Sequence, residues 1–395
     1  MARIRSGYVT AILARRPGVT EALVAIDPGP EGPAPSGRPG GTEGSGQRPG
    51  GPAVERPGEP AIAYDAVTGP LEVGDRVVLN TTAVALGLGT GGWHLVMARV
   101  DRDGDPDQGP GHVIKARYTP SQVRVLAVEE EASPHRAAVA ACTDLDGLPV
   151  VCAELHSMVP VVAASARAVA DGLAVAYVMT DGAALPLAFS RLAADLRASG
   201  LVAGIVTAGQ AFGGDLEAIT LYSGLLAAKA VLRADLVVVA QGPGGMGSAT
   251  RYGFSGTQAA EAVNATAALG GRPVACLRMS VADSRSRHRG VSHHSLTGLG
   301  RLALARALVA LPVLDDPVLA AEVDRQLAEA GVSARHDLVR VTAPDPAKLL
   351  AGWGLRVATM GRGPDDDPVF FAAAAAAGTL AGRLAAGLPA TEAGR

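Results

Sequence analysis

Aromatic side chains make up only 3% of the 395 residues: two tryptophans, six tyrosines and five phenylalanines. So few rings mean few stacking platforms for single-stranded nucleic acid. They also leave the core to Val, Leu and Ala, within a 48% hydrophobic composition. Lysine is scarcer still, with Lys115, Lys229 and Lys348 the only three, and the formal net charge is −3. That balance offers no broad basic face to a polyanion. Cys142, Cys152 and Cys276 form an odd set without paired spacing beside apolar runs, which argues for reduced, buried thiols in a cytosolic protein. Long apolar runs are missing as well. Arg15 and Arg16 interrupt the first, and residues 370–380 are mostly alanine and short of a bilayer. We therefore expect a soluble, cytoplasmic chain with no nucleic-acid or membrane partner, and the composition is compatible with a homo-oligomer.

What is present is rhythm. A chain of this length exceeds one ordinary core, so two domains are expected. Short β-branched runs at residues 8–13, 22–26, 61–64, 71–80, 94–100 and 113–128 are separated by turn residues. They predict a small β-barrel or sandwich over residues 1–130. Inside it, residues 28–60 are rich in Pro, Gly, Ser and Glu and almost free of large apolar groups, which predicts a disordered insertion. From about residue 137 the pattern becomes strand, polar loop, helix, repeated. Strands are predicted at 149–153, 173–179, 201–206, 236–240, 273–277, 337–341 and 355–360, with a closing alanine-rich helix. This predicts a doubly wound, mostly parallel, Rossmann-like three-layer α/β domain over residues 137–390.

In such sheets ligands sit beyond the carboxyl ends of the strands, so the polar residues that follow each strand are the candidates. His156 follows the first strand and Asp181 the second. Gln210, Asp215 and Glu217 follow the third, ahead of a predicted helix. The fourth runs into Gly242-Pro-Gly244-Gly245-Met-Gly247, which has dinucleotide spacing. That fingerprint needs a helix at once and an acidic residue in the first turn after the next strand, and both are missing here. A loop wrapping some other anion fits better. The fifth strand runs into Asp283, Arg285, Arg287, His288, Arg289, His293 and His294, with a helix expected near Ser295. Guanidinium forks before a helix start suit phosphate or carboxylate. Adjacent histidines on a helix diverge by about 100°, so His293 and His294 share one ion only on irregular backbone. A divalent metal is compatible with His156, Asp181, Asp283, His288 and His293. Otherwise His293 or His294 is the acid–base residue, oriented by Asp181 with His156 nearby.

Asn80-Thr-Thr-Ala, Leu88-Gly-Thr-Gly-Gly, Leu155-His-Ser and Val178-Met-Thr-Asp-Gly recur with Gly209-Gln-Ala-Phe-Gly-Gly-Asp-Leu-Glu, Gly253-Phe-Ser-Gly and Arg287-His-Arg-Gly-Val-Ser-His-His. Together they resemble a bacterial family known as domain of unknown function thirty-eight sixty-six, over nearly the whole chain except the 28–60 insertion. The resemblance brings no activity with it. Titratable groups at five strand ends point to an enzyme acting on a small anionic metabolite by hydrolysis or group transfer. The alternative is a metabolite-binding sensor or scaffold without catalysis.

Overall fold

The computed structural model describes residues 2–28, 58–89, 91–101 and 109–390. The expected insertion at 28–60 lies outside the described residues except for Pro28 and 58–60. The chain divides into two compact units, Met1–Gln108 with Thr119–Ser121, and Gly109–Tyr118 with Gln122–Arg395.

The first unit is a closed five-stranded barrel. Its strands are β1 (Ile4–Arg16), β2 (Val19–Ile26), β3 (Glu59–Tyr64), β4 (Arg76–Asn80) and β5 (His94–Arg99), in the order β1-β2-β3-β5-β4. β4 closes on β1, and β3 and β5 run parallel. Inward Val9, Ala22, Val24, Ala61, Val77, Leu79 and Val96 fill it with small aliphatic side chains.

In the second unit, residues 109–118 and 122–130, expected in the barrel domain, pack with the α/β sheet instead. They form a ribbon of β6 (Val113–Lys115) and β7 (Val123–Val125). The reason is Lys115, whose Nζ donates to the carbonyls of Thr207 (3.4 Å), Ala211 (3.0 Å) and Ala218 (2.9 Å).

The main sheet has eight strands. They are β8 (Pro149–Cys152), β9 (Val175–Thr180), β10 (Gly204–Thr207), β11 (Leu216–Glu217), β12 (Leu236–Gln241), β13 (Arg272–Cys276), then β16 (Leu308–Pro312) and β17 (Asp337–Val341). A short ribbon of β14 (Met279–Ser280) and β15 (Gly290–Val291) stands between β13 and β16 in sequence. Every sheet pair is parallel, in the order β11-β10-β9-β12-β8-β13-β16-β17. Both faces are covered, which is why β8, β9, β10 and β12 are buried at every residue and read as unbroken apolar runs. Helices Val159–Val169, Arg191–Ala198, Pro346–Gly352 and Pro368–Ala385 cover one face. Helices Leu221–Ala230, Gln258–Ala268 and Pro317–Glu329 cover the other.

The chain starts mid-sheet at β8, winds outward to β11, and returns through β12 to continue on the other side at β13. The winding direction therefore reverses around β12, β8 and β13, and the crevice of a doubly wound sheet opens at their carboxyl ends. Residues 355–360, expected as a strand, are not one. Leu355, Val357 and Thr359 alternate inward, yet they meet no strand partner beyond a bridge from Thr359 to Arg362. The closing helix Pro368–Ala385 is long and apolar enough to cross a membrane by length and composition, but it is largely buried inside the unit. Gly378 and Gly382 let it lie directly on the backbone of Val162 and Ala166.

Candidate functional site

Three residues reach the crevice from the strands that border it. Glu154 follows β8, Gln241 ends β12, and Arg278 follows β13. The Gln241 Nε2 donates to the Glu154 carbonyl at 3.0 Å. The Arg278 amide donates to Ser295 Oγ at 3.0 Å, and the Ser295 hydroxyl donates to Glu154 Oε1.

The β14–β15 ribbon then folds the histidine segment back over these strand ends. Ser292 is the cap that sets its geometry. Its Oγ accepts the His294 amide at 3.2 Å and pairs with His288 Nδ1 at 2.8 Å. The helix accordingly begins at His293, two residues before the expected start, and runs on from Thr297 as a π-turn, Gly298–Leu302. In that first turn His293 and His294 do not diverge as in a regular helix. Their ring centroids are 4.4 Å apart, with His288 5.1 Å from one and 5.0 Å from the other. The ligand nitrogens of all three lie within 4.8 Å of one another.

Burial, aided by the Arg278 guanidinium, lowers the His288 pKa to about 3. Burial and the neighbouring His294 lower that of His293 to about 4. Both rings are therefore neutral at pH 7. His293 Nε2 is buried without a partner. His294 Nδ1 stands 3.5 Å from Arg278 Nη1 and 3.7 Å from Glu154 Oε2.

The glycine-rich loop forms one wall. Gly247 and Phe254 bridge across it, and the Phe254 ring stacks on His294 at 3.9 Å and 3°. A side chain at Gly247 would touch the His294 ring, and one at Gly245 would press on the Gln241 amide. Gly244 turns the chain at φ +84°, and Gly242 lies against the Ala184 carbonyl. On the core side of Glu154, a cavity of about 20 Å³ is lined by His294, Ser295, Cys152 and Cys276, room for one water.

The other expected residues are placed elsewhere. His156 sits in the core layer under the Val159–Val169 helix, with Nδ1 3.0 Å from Tyr177 Oη and Nε2 2.6 Å from Ser190 Oγ. Asp181 accepts from the Gln210 amide (2.9 Å) and Gln258 Nε2 (2.9 Å), near Gln241 but not in the histidine cluster. Asp215 and Glu217 do not open a helix, because Thr220 caps the helix that starts at Leu221. Asp215 pairs with Arg197 and accepts the Ile205 amide; Glu217 pairs with buried Lys115 at 3.4 Å. The three arginines are not a free anion clamp. Arg285 forks onto Asp283 (2.9 and 2.7 Å) and Arg289 donates to the Asp283 carbonyl (3.1 Å), while Arg287 is exposed. Arg285 holds the Asp283 carboxyl well below the usual carboxylate range. Arg278 and Arg362 flank the same carboxylate at 3.7 and 3.6 Å, so Asp283 is an ion-pair hub rather than a ligand.

The model of a protein family of unknown function, DUF3866, matches residues 60–378. The chain belongs to the DUF3866 family. No curated protein and no solved structure matches it. In this DUF3866 chain the residues that sequence reasoning missed are Glu154, Gln241, Phe254 and Arg278. Glu154, Gln241 and Arg278 end or closely follow predicted strands, so the positional rule that found Asp181 could have found them. Nothing in the sequence marks the stacking of Phe254 on His294.

Proposed function

We propose that this protein is a metal-dependent enzyme acting on a small anionic metabolite by hydrolysis or group transfer, with His288, His293 and His294 as the ion's ligands. The observation that carries the reading is the convergence of their nitrogens within 4.8 Å at the carboxyl edge of the sheet. A tetrahedral ion about 2.1 Å from each needs them about 3.4 Å apart, which small ring rotations reach. Imidazole sets suit zinc and the later transition ions, and only the neutral ring ligates. A bound divalent ion would act as a Lewis acid toward the substrate's negative group.

Three neutral ligands leave such an ion's charge uncompensated, which favours an anionic substrate, and Arg278 is the guanidinium beside the cluster. Arg278 Nη1 donates toward His294 Nδ1 at 3.5 Å, and Glu154 Oε2 is the carboxylate oxygen beside that ring, 3.7 Å from Nδ1. In this reading His293 and His294 ligate, and Glu154 rather than a histidine is placed to move a proton.

The test is ion content by plasma mass spectrometry, on protein purified without chelators and incubated with zinc, manganese or iron(II). About one ion per chain is expected in wild type and a small fraction of that in His288→Ala/His293→Ala. Equal content in the two, or none in wild type, overturns the proposal. A loaded protein that turns over no phosphate or carboxylate metabolite in a screen shifts the reading to a sensor.

A further inference from the structure

We propose that Phe254 is a positioning residue of the histidine centre. Its ring sets the plane of the His294 imidazole, and so the direction in which that ligand meets its ion. This rests on the function proposed above.

The imidazoles of the cluster are held in different ways. His288 is oriented as metal-ligating histidines commonly are, by a hydrogen bond on its second nitrogen, with Nδ1 2.8 Å from Ser292 Oγ. At His294 Nδ1 the polar neighbours are longer, Arg278 Nη1 at 3.5 Å and Glu154 Oε2 at 3.7 Å. Contacts of that length hold a ring plane weakly, and the last torsion of a histidine side chain is itself broad. The Phe254 ring does what they do not. It stacks on His294 with centroids 3.9 Å apart and planes within 3°, so turning the imidazole drives an edge into the phenyl face. The same ring faces His293 edge-on, at 6.0 Å and 61°.

The glycine-rich loop is built to present this ring. Phe254 is buried, and Gly247 and Phe254 bridge antiparallel. The Ser248 amide donates to the Gly253 carbonyl at 2.7 Å and the Ser255 amide to the Met246 carbonyl at 2.9 Å. The Met246 amide donates to Ser255 Oγ at 3.0 Å and the Phe254 amide to the Tyr252 carbonyl at 3.0 Å. These four amides close the hairpin on itself, so this stretch turns a ring toward the centre rather than a set of anion donors. Gly247 lies against the edge of the same imidazole, where a Cβ would already stand 3.4 Å from Cε1 and 3.5 Å from Nε2.

The stack also acts on the ion's affinity. The face of a phenyl ring is negative, and an imidazole bound to a divalent ion is electron-poor, so the two rings attract more strongly with the ion than without it. Ordinary core packing would support both states equally.

The experiment is cobalt(II) titration of the full chain, freed of metal beforehand, read by the visible d–d bands that report ligand geometry. Phe254→Leu and Phe254→Met keep the position apolar without a ring, and Phe254→Tyr restores one. Circular dichroism and the melting temperature of the metal-free protein identify the variants that fold. Folded Leu or Met variants should bind cobalt about tenfold or more weakly than wild type, with altered bands. The Tyr variant should bind within about threefold of wild type, with wild-type bands. A folded Leu or Met variant with wild-type affinity and bands overturns the positioning role, as does a folded Tyr variant no better than these. So does loss of folding in both Leu and Met, which makes Phe254 a structural residue. In each of those cases wild type still binds cobalt and the metal centre stands. A wild type that binds none overturns the centre itself, and the role of Phe254 with it.

Discussion

His156 and Asp283 show how differently two polar residues are used once buried. His156 is 6% exposed, and burial lowers its pKa from 6.5 to about 4. Between those values the unfolded chain binds a proton that the native chain refuses. Its contribution to stability is therefore whole above about pH 6.5 and falls as the pH drops toward 4, by up to about 3 kcal/mol. His156→Gln, which keeps polar contacts without titrating, should lose less stability between pH 7 and pH 4.5 than wild type by urea unfolding. An equal loss would assign the acid sensitivity to other groups. Asp283 is buried as an ion, with Arg278, Arg285 and Arg362 around it. Asp283→Asn strands that positive charge and should cost about 3 kcal/mol in denaturant unfolding. Arg287→Ala, on an exposed side chain, should stay within about 0.5 kcal/mol. A larger effect of Arg287 than of Asp283 would contradict the hub.

At the scale of elements, the helices Val159–Val169 and Pro368–Ala385 pack backbone to backbone. A Cβ on Gly378 would run into the Val162 carbonyl, and one on Gly382 would stand 2.9 Å from the Ala166 Cα. Gly378→Ala must push the helices apart. The cost should be about 1–3 kcal/mol despite the better helix propensity of alanine, measured as a lowered denaturant midpoint. A stabilised Gly378→Ala protein would show that propensity outweighs packing here. This contact also explains why an alanine-rich run that resembles a membrane span by composition belongs to a core. Its small residues fit a close helix interface, and the sheet beneath supplies the larger side chains. The segment at 355–360 makes the complementary point. Its apolar alternation reads as a strand, and only the absence of a neighbouring ladder decides otherwise.

For the whole molecule, metal binding and folding should be linked. If His288, His293 and His294 hold an ion as proposed, one that binds only the native chain would stabilise it by about 2.7 kcal/mol at a hundredfold excess over Kd. Chelator should therefore lower the melting temperature of wild type and leave His288→Ala/His293→Ala unmoved. Equal shifts in both would place the ion elsewhere. Much of the architecture is local in origin and was legible. Turn-separated β-branched runs become the barrel, buried strands read as unbroken apolar stretches, and each helix follows its strand. Polar residues at strand ends are legible for the same reason. What the sequence could not decide is non-local. The order β9-β12-β8-β13 makes Glu154, Gln241 and Arg278 neighbours although they lie up to 124 positions apart. The short turn after Glu154 sends His156 into the core, and the Ser292 cap gathers three imidazoles. Periodicity and turn chemistry act over a few residues and so can be read from the chain. Which strand lies beside which, and which face a side chain takes after its strand ends, depends on packing across the sheet, and only the tertiary structure settles it.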